Sequence, residues 1–155
     1  MAGSCSSNHA DKCDICVLCA AVADYKPANV SSIKIKKRDA KFSLELIPTR
    51  DILDSLGHKH NRQFVLVGFA AETDHVEENA AKKLRAKNCD IIVANDVSGA
   101  DSGMESDVNE VIILFRNSEK TKISRAPKKN IARDLVKIFS NFVTKTFDKK
   151  NGMIN

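Results

Sequence analysis

The 155-residue sequence contains no tryptophan and a single tyrosine, and aromatic residues make up only 5% of it. Proteins that bind single-stranded nucleic acid stack bases on several aromatic side chains placed among basic residues. This scarcity disfavours a nucleic-acid-binding module, although the formal charge of +5 suits anionic ligands in general. Nucleotides and coenzyme phosphates are the better match to this composition.

Long apolar runs are also missing. Nothing in the sequence approaches the roughly 18 apolar residues of a transmembrane helix. A nine-residue run, residues 15–23, has the length of a signal-peptide core, but Asp11 and Asp14 stand where such a peptide carries positive charge. We therefore expect a cytoplasmic protein that does not associate with membranes.

Several motifs of common enzyme sites are absent, namely GxGxxG, GxxxxGK[ST], HExxH and GxSxG. Their absence disfavours a Rossmann dinucleotide fingerprint, a P-loop, a zincin metalloprotease and an α/β-hydrolase nucleophile. The spacing Cys13-x2-Cys16-x2-Cys19 is similar to that of metal sites. On a strand, however, Cys16 points to the face opposite Cys13 and Cys19, so the three thiolates do not converge. We expect reduced thiols and no resident metal.

What the sequence does contain is an alternation of strand and helix patterns. Near-continuous apolar runs at residues 15–23, 63–69 and 90–94 are typical of parallel strands covered on both faces. Residues 110–115 and 120–124 predict a C-terminal β-hairpin. Helical stripes are predicted at residues 76, 80 and 84, and at residues 131, 135, 138, 139 and 142. This order predicts an α/β fold with a mostly parallel sheet, helices on both faces and a final helix.

Three segments are predicted along the chain. Residues 1–12 are small and polar without periodicity, so we expect them to be disordered. Residues 13–148 form the domain, and residues 149–155 form a frayed tail. Within the domain, residues 41–47 alternate as a half-exposed strand does, and a short helix is predicted from Thr49 to Leu56, stopped by Gly57.

Polar residues at the ends of the apolar runs predict an anion site. Asp24 ends the first run, and Asn95 and Asp96 follow the third. In open α/β sheets ligands bind beyond the carboxyl ends of the strands. A dense basic cluster follows Asp24 after about ten residues, at Lys34, Lys36, Lys37 and Arg38. Lysines at such a place can neutralise a polyphosphate, so the pattern is that of a nucleotide site.

Lys83 and Lys87 lie four residues apart on the helix predicted at residues 75–87. Side chains at this spacing share one helix face. Taken alone, the pair is as consistent with a solvated face as with an anion bound between the two ammonium groups.

Four motifs in series resemble one enzyme family, the phosphopantothenate–cysteine ligases that form the synthetase half of bifunctional coenzyme A biosynthesis flavoproteins. They are Ala20-Ala-Val-Ala-Asp-Tyr25, Lys34-Ile-Lys-Lys37, Gly68-Phe-Ala-Ala-Glu-Thr73 and Ala94-Asn-Asp-Val97. The resemblance covers roughly residues 14–147. It implies a Rossmann-like three-layer open sheet and a homodimer. It further implies that CTP with Mg²⁺ activates 4′-phosphopantothenate to an acyl-cytidylate, from which the amine of cysteine displaces CMP.

The resemblance also implies roles for individual residues. Lys34 matches a lysine needed for turnover and is the catalytic candidate. Asn95 and Asp96 are the substrate-binding candidates. The nucleotide-binding candidates are Ala20, Asp24, Lys34, Asp51, Ile52, Phe69, Lys83 and Lys87. The sequence departs from the family where Thr49-Arg-Asp-Ile52 replaces the usual Asn-Pro-Asp-Ile, and again at Gly103-Met-Glu105, where the family often has Gly-Phe-Gly.

Three functional hypotheses result. The first is the CTP-dependent ligase. The sequence begins after the Gly-rich segment and the asparagine with which the family's ligase opens, and it lacks the flavin decarboxylase half, so we expect no flavin. A truncated form, or one piece of an enzyme completed by a separate chain, is therefore expected. The second hypothesis is a non-catalytic remnant that keeps nucleotide binding and dimerisation, and the third is a basic nucleic-acid-binding module. The choice between CTP and ATP stays open.

Overall fold

The computed structural model describes residues 10–36, 41–97 and 106–151, with side chains up to residue 148. A 3₁₀ turn at Ala10–Lys12 precedes the strands and helices. The strands are β1 (Ile15–Leu18), β2 (Tyr25–Pro27), β3 (Leu46–Pro48), β4 (Val65–Glu72), β5 (Ile91–Asp96), β6 (Val108–Phe115) and β7 (Lys120–Pro127). The α-helices are α1 (Ile52–Gly57), α2 (Val76–Ala86) and α3 (Lys128–Asn151).

The central sheet has five strands in the order β1-β4-β5-β6-β7. β4 pairs in parallel with both β1 and β5, whereas β6 is antiparallel to both of its neighbours. β7 therefore runs in the same direction as β5, so that four of these five strands point one way. The predicted α/β fold is confirmed, with its mostly parallel open sheet, its C-terminal hairpin and its final helix.

Helices cover both faces of this sheet and give three layers. Alternate side chains of a strand point to opposite faces, so Leu66 and Ile92 pack beneath α1 and α2, whereas Val67 and Ile91 pack beneath α3. All four are fully buried. The predicted helical stripes are confirmed by the burial of Ala80, Leu84, Ile131, Leu135 and Phe139 and the partial burial of Val76, Ile138 and Phe142. No helix within the described ranges has an apolar stretch long enough to cross a membrane.

The first strand differs from the prediction. Residues 15–23 were expected to form one buried strand, but β1 ends at Leu18 and is only half-buried, with Val17 42% exposed. The physical reason is its position at the edge of the sheet: among the described residues, β4 alone pairs with it. Apolar composition favoured a central strand, but burial depends on neighbours that the run itself does not specify.

The predicted strand at residues 41–47 is also shorter than expected. Only β3, Leu46–Pro48, is a strand, and it pairs with β2 in a separate two-stranded antiparallel ribbon. Residues 41–45 are exposed and lie outside any strand. An alternating pattern forms a strand only where a partner is available for its backbone groups. We call residues 22–27 and 42–48 the ribbon.

The ends of the chain differ in part from the predicted disorder. Ala10 is 4% exposed and joins the core cluster beneath α1 and α2, while Asp11 forms an ion pair with Lys59. Residues 10–12 are thus held by the domain, and residues 1–9 lie outside the described part. At the other end α3 continues to Asn151, past the predicted boundary at residue 148, and residues 152–155 are not described.

Asp90 joins the amino ends of the central strands. Its carboxylate accepts a hydrogen bond from the backbone amide of Leu66 at 2.8 Å and ion-pairs with Arg62 at 2.7 Å and Arg116 at 3.2 Å. The guanidinium of Arg62 also lies 5.8 Å from the centre of the Phe64 ring. Since the Asp90 side chain is only 19% exposed, these partners compensate the cost of removing its charge from water.

Candidate functional site

A cluster of four charged side chains lies where α1 meets the end of α2. The ammonium of Lys87 lies 3.0 Å from Asp51 Oδ2 and 3.5 Å from Asp54 Oδ1. Lys83 lies one turn earlier on α2, and its charge acts on Asp51. We call Asp51, Asp54, Lys83 and Lys87 the ion cluster. It contains three of the residues that the resemblance assigned to a nucleotide site.

Local sequence fixes both halves of the ion cluster. Asp51 is the N-cap of α1, where its Oδ1 accepts the backbone amide of Asp54 at 2.8 Å, which is a favourable arrangement at a helix start. α2 ends at Ala86 with Lys87 as its C-cap, and the next residue, Asn88, has a positive φ of 51°. Asparagine tolerates this left-handed conformation, which commonly terminates helices. Capping residues in the sequence therefore determine where α1 begins and where α2 ends.

The absence of a side chain at Gly57 lets the two helices meet. A Cβ atom at this position would lie 1.8 Å from the carbonyl oxygen of Lys87, which no ordinary contact allows. The Asn88 side chain amide donates to the carbonyl of Gly57 at 2.7 Å and holds the approach. Gly68 has a similar role in helix–sheet packing, because its Cβ would meet the tip of Leu53 at 2.8 Å.

The charges of the ion cluster stabilise one another. Partial burial alone would raise the pKa of Asp51, but the amide of Asp54 and the ammonium groups of Lys87 and Lys83 outweigh it and hold that pKa below its usual range. The hydrogen bond to Asp51 raises the pKa of Lys87, against a smaller opposing effect of burial. Both groups are therefore ionised at neutral pH.

Lys83 differs from Lys87 in its partners. It is half-buried, yet among the described residues no carboxylate lies within ion-pair distance of its ammonium. A partly desolvated ammonium without an ion pair retains the capacity to bind an added anion. Lys87 is four residues away on the same helix, so a phosphate group could contact both side chains.

The segment that contains Ala20 and Asp24 is hydrogen-bonded to Thr49, which lies just before the ion cluster in the sequence. Both residues are exposed and follow the end of β1 in irregular backbone. Thr49, two residues before Asp51, donates its amide to the carbonyl of Asp24 at 2.8 Å and its hydroxyl to the carbonyl of Ala23 at 2.6 Å. These bonds fix Asp24 at the base of the ribbon, on the approach to α1.

Lys34 and Lys36 lie in exposed irregular backbone after β2. Ser31 forms a local turn with Ile33 just before them, with its hydroxyl 2.7 Å from the Ile33 carbonyl. No ion pair involves Lys34 in the parts of the chain described here. Lys37 and Arg38, the rest of the predicted basic cluster, lie outside the described residues, as does the predicted departure at residues 103–105.

The remaining candidates are distributed over other surfaces. Ile52 begins α1 and packs partly buried on the core beneath α1 and α2, next to the ion cluster. Phe69 packs on the opposite face of the sheet, in the cluster beneath α3. Asn95 and Asp96 are the last two residues of β5, where they pair with Ala71 and Glu72 of β4. They lie at the carboxyl end of β5, whereas Lys87 precedes its amino end.

Sequence reasoning missed Asp54 and the tight fit of Gly57. Asp54 could have been found from its spacing, since it stands three residues after Asp51 and therefore on the same face of α1. The close approach of Gly57 to Lys87 had no comparable sequence pattern. Among the described cysteines, burial raises the pKa of Cys89 to about 11, so its thiol stays protonated. No group of three His, Cys, Asp or Glu side chains within the described ranges is arranged to hold a metal ion.

Two replacements of Asp51 should distinguish its contribution to stability as a helix cap from its contribution as a charge. Asp51→Asn keeps an N-cap acceptor and loses only an exposed ion pair, so we expect a loss of about 0.5 kcal/mol in unfolding free energy at pH 7. Asp51→Ala loses both, at about 1–2 kcal/mol. Because the folded pKa of Asp51 is lowered, its charge stabilises the fold fully above about pH 5, and this contribution is lost as the pH falls from there through the folded pKa.

Chemical denaturation of wild type and both variants from pH 3 to pH 8 measures this. The difference between wild type and Asp51→Asn should be constant at the upper end of the range and shrink toward pH 3. A difference that grows with acidity, or equal losses for the two variants, would contradict the assigned contacts.

Known proteins share sequence and fold with this chain. The family model described as the DNA/pantothenate metabolism flavoprotein C-terminal domain matches residues 1–142. The coenzyme A biosynthesis bifunctional protein CoaBC of Bacillus subtilis (strain 168) is 44% identical over 126 residues, which are 81% of this chain and 31% of that protein. A cysteine/cysteine sulfinic acid decarboxylase from an unknown prokaryotic organism is 36% identical over 81% of this chain and 35% of its own.

A solved structure of a related domain has the same fold as this chain. The crystal structure of the C-terminal domain of coenzyme A biosynthesis bifunctional protein CoaBC superimposes with a TM-score of 0.68 at 35% identity, covering 88% of this chain and 58% of that one. The chain spans about a third of the length of the two curated relatives. From the family model and these similarities we conclude that the chain belongs to the family of DNA/pantothenate metabolism flavoprotein C-terminal domains.

Proposed function

We propose that this chain provides phosphopantothenate–cysteine ligase activity in coenzyme A biosynthesis, with CTP as the activating nucleotide. Membership of the family supports a role in that pathway. The observation that carries the more specific proposal is the ion cluster, where a half-buried Lys83, which has no ion pair within the described ranges, lies one helical turn from Lys87. Such a pair of ammonium groups suits the polyphosphate of a nucleotide.

The proposed reaction has two steps. The carboxylate of 4′-phosphopantothenate attacks the α-phosphorus of CTP. A bond forms between a carboxylate oxygen and the α-phosphorus, the bond from the α-phosphorus to the oxygen that bridges to the β-phosphate breaks, and pyrophosphate leaves. The amine of cysteine then attacks the acyl carbon, the bond to the phosphate oxygen breaks, CMP leaves and the amine loses a proton. The first step brings two anions together, and fixed positive charge lowers the barrier for such a reaction.

In this proposal the ion cluster binds the terminal phosphates, with Lys83 and Lys87 as the cationic contacts. Lys34 stabilises negative charge at the reacting phosphate. Its exposed position, in a segment with little regular structure, suits a residue that closes over bound substrate and excludes water. Asp24, which lies next to Thr49 at the start of the ribbon, and Ala20 would contact the nucleobase and the ribose.

Phe69, Asn95 and Asp96 keep their proposed roles as predictions from the resemblance. Asn95 and Asp96 stand at the carboxyl end of β5, the end at which open α/β sheets bind ligands. We propose that they meet 4′-phosphopantothenate there. Mg²⁺ would enter bound to the triphosphate, which supplies oxygen ligands of the kind that this ion prefers.

Turnover by the full chain tests the proposal. We expect 4′-phosphopantothenate, cysteine, Mg²⁺ and CTP to give CMP and the cysteine amide by mass spectrometry, with ATP as the comparison nucleotide. Lys34→Ala should lower turnover by about 100-fold or more, because it removes charge that stabilises the transition state. The matched control is Lys145→Ala, an exposed lysine of α3, which should behave as wild type.

The outcomes separate the hypotheses. Full activity in Lys34→Ala would show that its assignment is wrong. Absence of product, together with a CTP-dependent rise in melting temperature, would favour the non-catalytic nucleotide-binding hypothesis. Absence of both product and CTP binding would contradict the proposed function.

We further propose that two copies associate through the ribbon. Its exposed apolar side chains include Tyr25 at 60%, Phe42 at 68%, Leu44 at 53% and Leu46 at 51% exposure. Exposed apolar side chains gathered on one segment are unfavourable in water and typical of protein–protein contacts. The family resemblance, which implies a homodimer, points to a second copy as the occupant.

Sedimentation velocity tests this association. Wild type should sediment as a species of twice the 17.1 kDa chain mass, and Leu46→Glu should shift it to the monomer because a charge replaces buried apolar contact. Val136→Glu is the matched control, since Val136 is 65% exposed on α3. A monomeric wild type, or dissociation by the Val136 variant alone, would contradict the proposed interface.

A further inference from the structure

Asp54 is a carboxylate of the ion cluster to which neither the sequence motifs nor the proposed reaction assigns a role. Its side chain is 44% exposed and lies 3.5 Å from the ammonium of Lys87. We propose that Asp54 lowers the affinity of the ion cluster for polyphosphate by holding Lys87 and by repelling the incoming phosphates. The inference rests on the proposed nucleotide site and identifies a residue that sets its affinity.

The two carboxylates of the cluster have different tasks. Asp51 uses one oxygen to cap α1 at 2.8 Å and the other to bind Lys87 at 3.0 Å, so it positions the lysine and also maintains the helix. Asp54 makes only longer side-chain contacts, with Lys87 at 3.5 Å and with His58 Nδ1 at 3.6 Å. Neutralising Asp54 therefore leaves the cap and the shorter ion pair of Lys87 in place.

The charge balance of the cluster sets the direction of the effect. The two ammonium groups of Lys83 and Lys87 are matched by the two carboxylates of Asp51 and Asp54, so the formal charge of these four residues is zero. A phosphate that binds Lys87 must compete with both carboxylates and approach their negative charge. Removing the charge of Asp54 gives the cluster a net charge of +1 and weakens that competition.

The effect should grow with the charge of the ligand. Repulsion between Asp54 and a ligand scales with the ligand's own charge, so triphosphates should respond more than monophosphates. In the proposed reaction one product is pyrophosphate. Asp54 would then accelerate release of this multiply charged product, at the expense of affinity for the nucleotide that enters.

Isothermal titration calorimetry on the full chain tests the inference with three probes, CTP, inorganic tripolyphosphate and CMP. Asp54→Asn should bind CTP and tripolyphosphate about three- to tenfold more tightly than wild type, as expected for one partly exposed charge near a polyanion. The gain for CMP should be smaller. Asp54→Glu keeps the charge and should retain the wild-type dissociation constants.

Asp134→Asn is the matched control. Asp134 is an exposed helical carboxylate that lies 3.6 Å from a lysine three residues away, and its side chain is 51% exposed. It belongs to α3, on the other face of the sheet, so its replacement should change none of the three dissociation constants. Thermal melting of each variant checks folding, and Asp54→Ala, which has a high helix propensity, provides a second neutral substitution.

Each outcome decides the inference. Tighter polyphosphate binding in both neutral variants, with Asp54→Glu and Asp134→Asn unchanged, supports it. Unchanged or weaker binding in well-folded neutral variants overturns it, while binding by wild type leaves the proposed function intact. If neither wild type nor any variant binds CTP or tripolyphosphate, the inference and the proposed nucleotide site are both wrong.

Discussion

The close approach of Gly57 to the backbone of Lys87 is the constraint on which the candidate site depends. Any side chain at this position would meet the Lys87 carbonyl, since even a Cβ atom would lie 1.8 Å from its oxygen. The resulting contact brings the start of α1 to the end of α2, so that Asp51 reaches Lys87 at 3.0 Å. Gly57, which has no side chain, therefore determines the relative positions of the Asp51 and Lys87 side chains.

This arrangement links the packing of the domain to its chemistry. The parallel strands β1, β4 and β5 require helical connections, and α2 is the connection between β4 and β5. Ala80 and Leu84 pack in the core and hold α2 in position. Lys83 and Lys87, at the end of the same helix, lie toward α1. The carboxylates of α1 balance these lysines, so the four side chains of the ion cluster carry no net formal charge.

Much of the fold could be predicted from the sequence because burial leaves periodic patterns. The apolar runs at β4 and β5 and the stripes of α2 and α3 specify elements that pack within the domain. β1 was predicted wrongly in extent and burial, because its apolar residues do not reveal which edge of the sheet they occupy. The assignment of Asp51, Lys83 and Lys87 as candidate nucleotide-binding residues came from resemblance to a family. The role of Asp54 and the close contact of Gly57 with Lys87 were not found, because both arise from a contact between two helices.

The central claim is that nucleotide binds at the ion cluster. Hydrogen–deuterium exchange of the full chain, with and without CTP and Mg²⁺, tests it most directly, because bound phosphate should slow opening of the backbone that carries these side chains. We expect slower exchange in peptides that cover residues 50–57 and 83–89, and unchanged exchange in α3. Protection confined to α3, or no change anywhere at saturating CTP, would contradict the account.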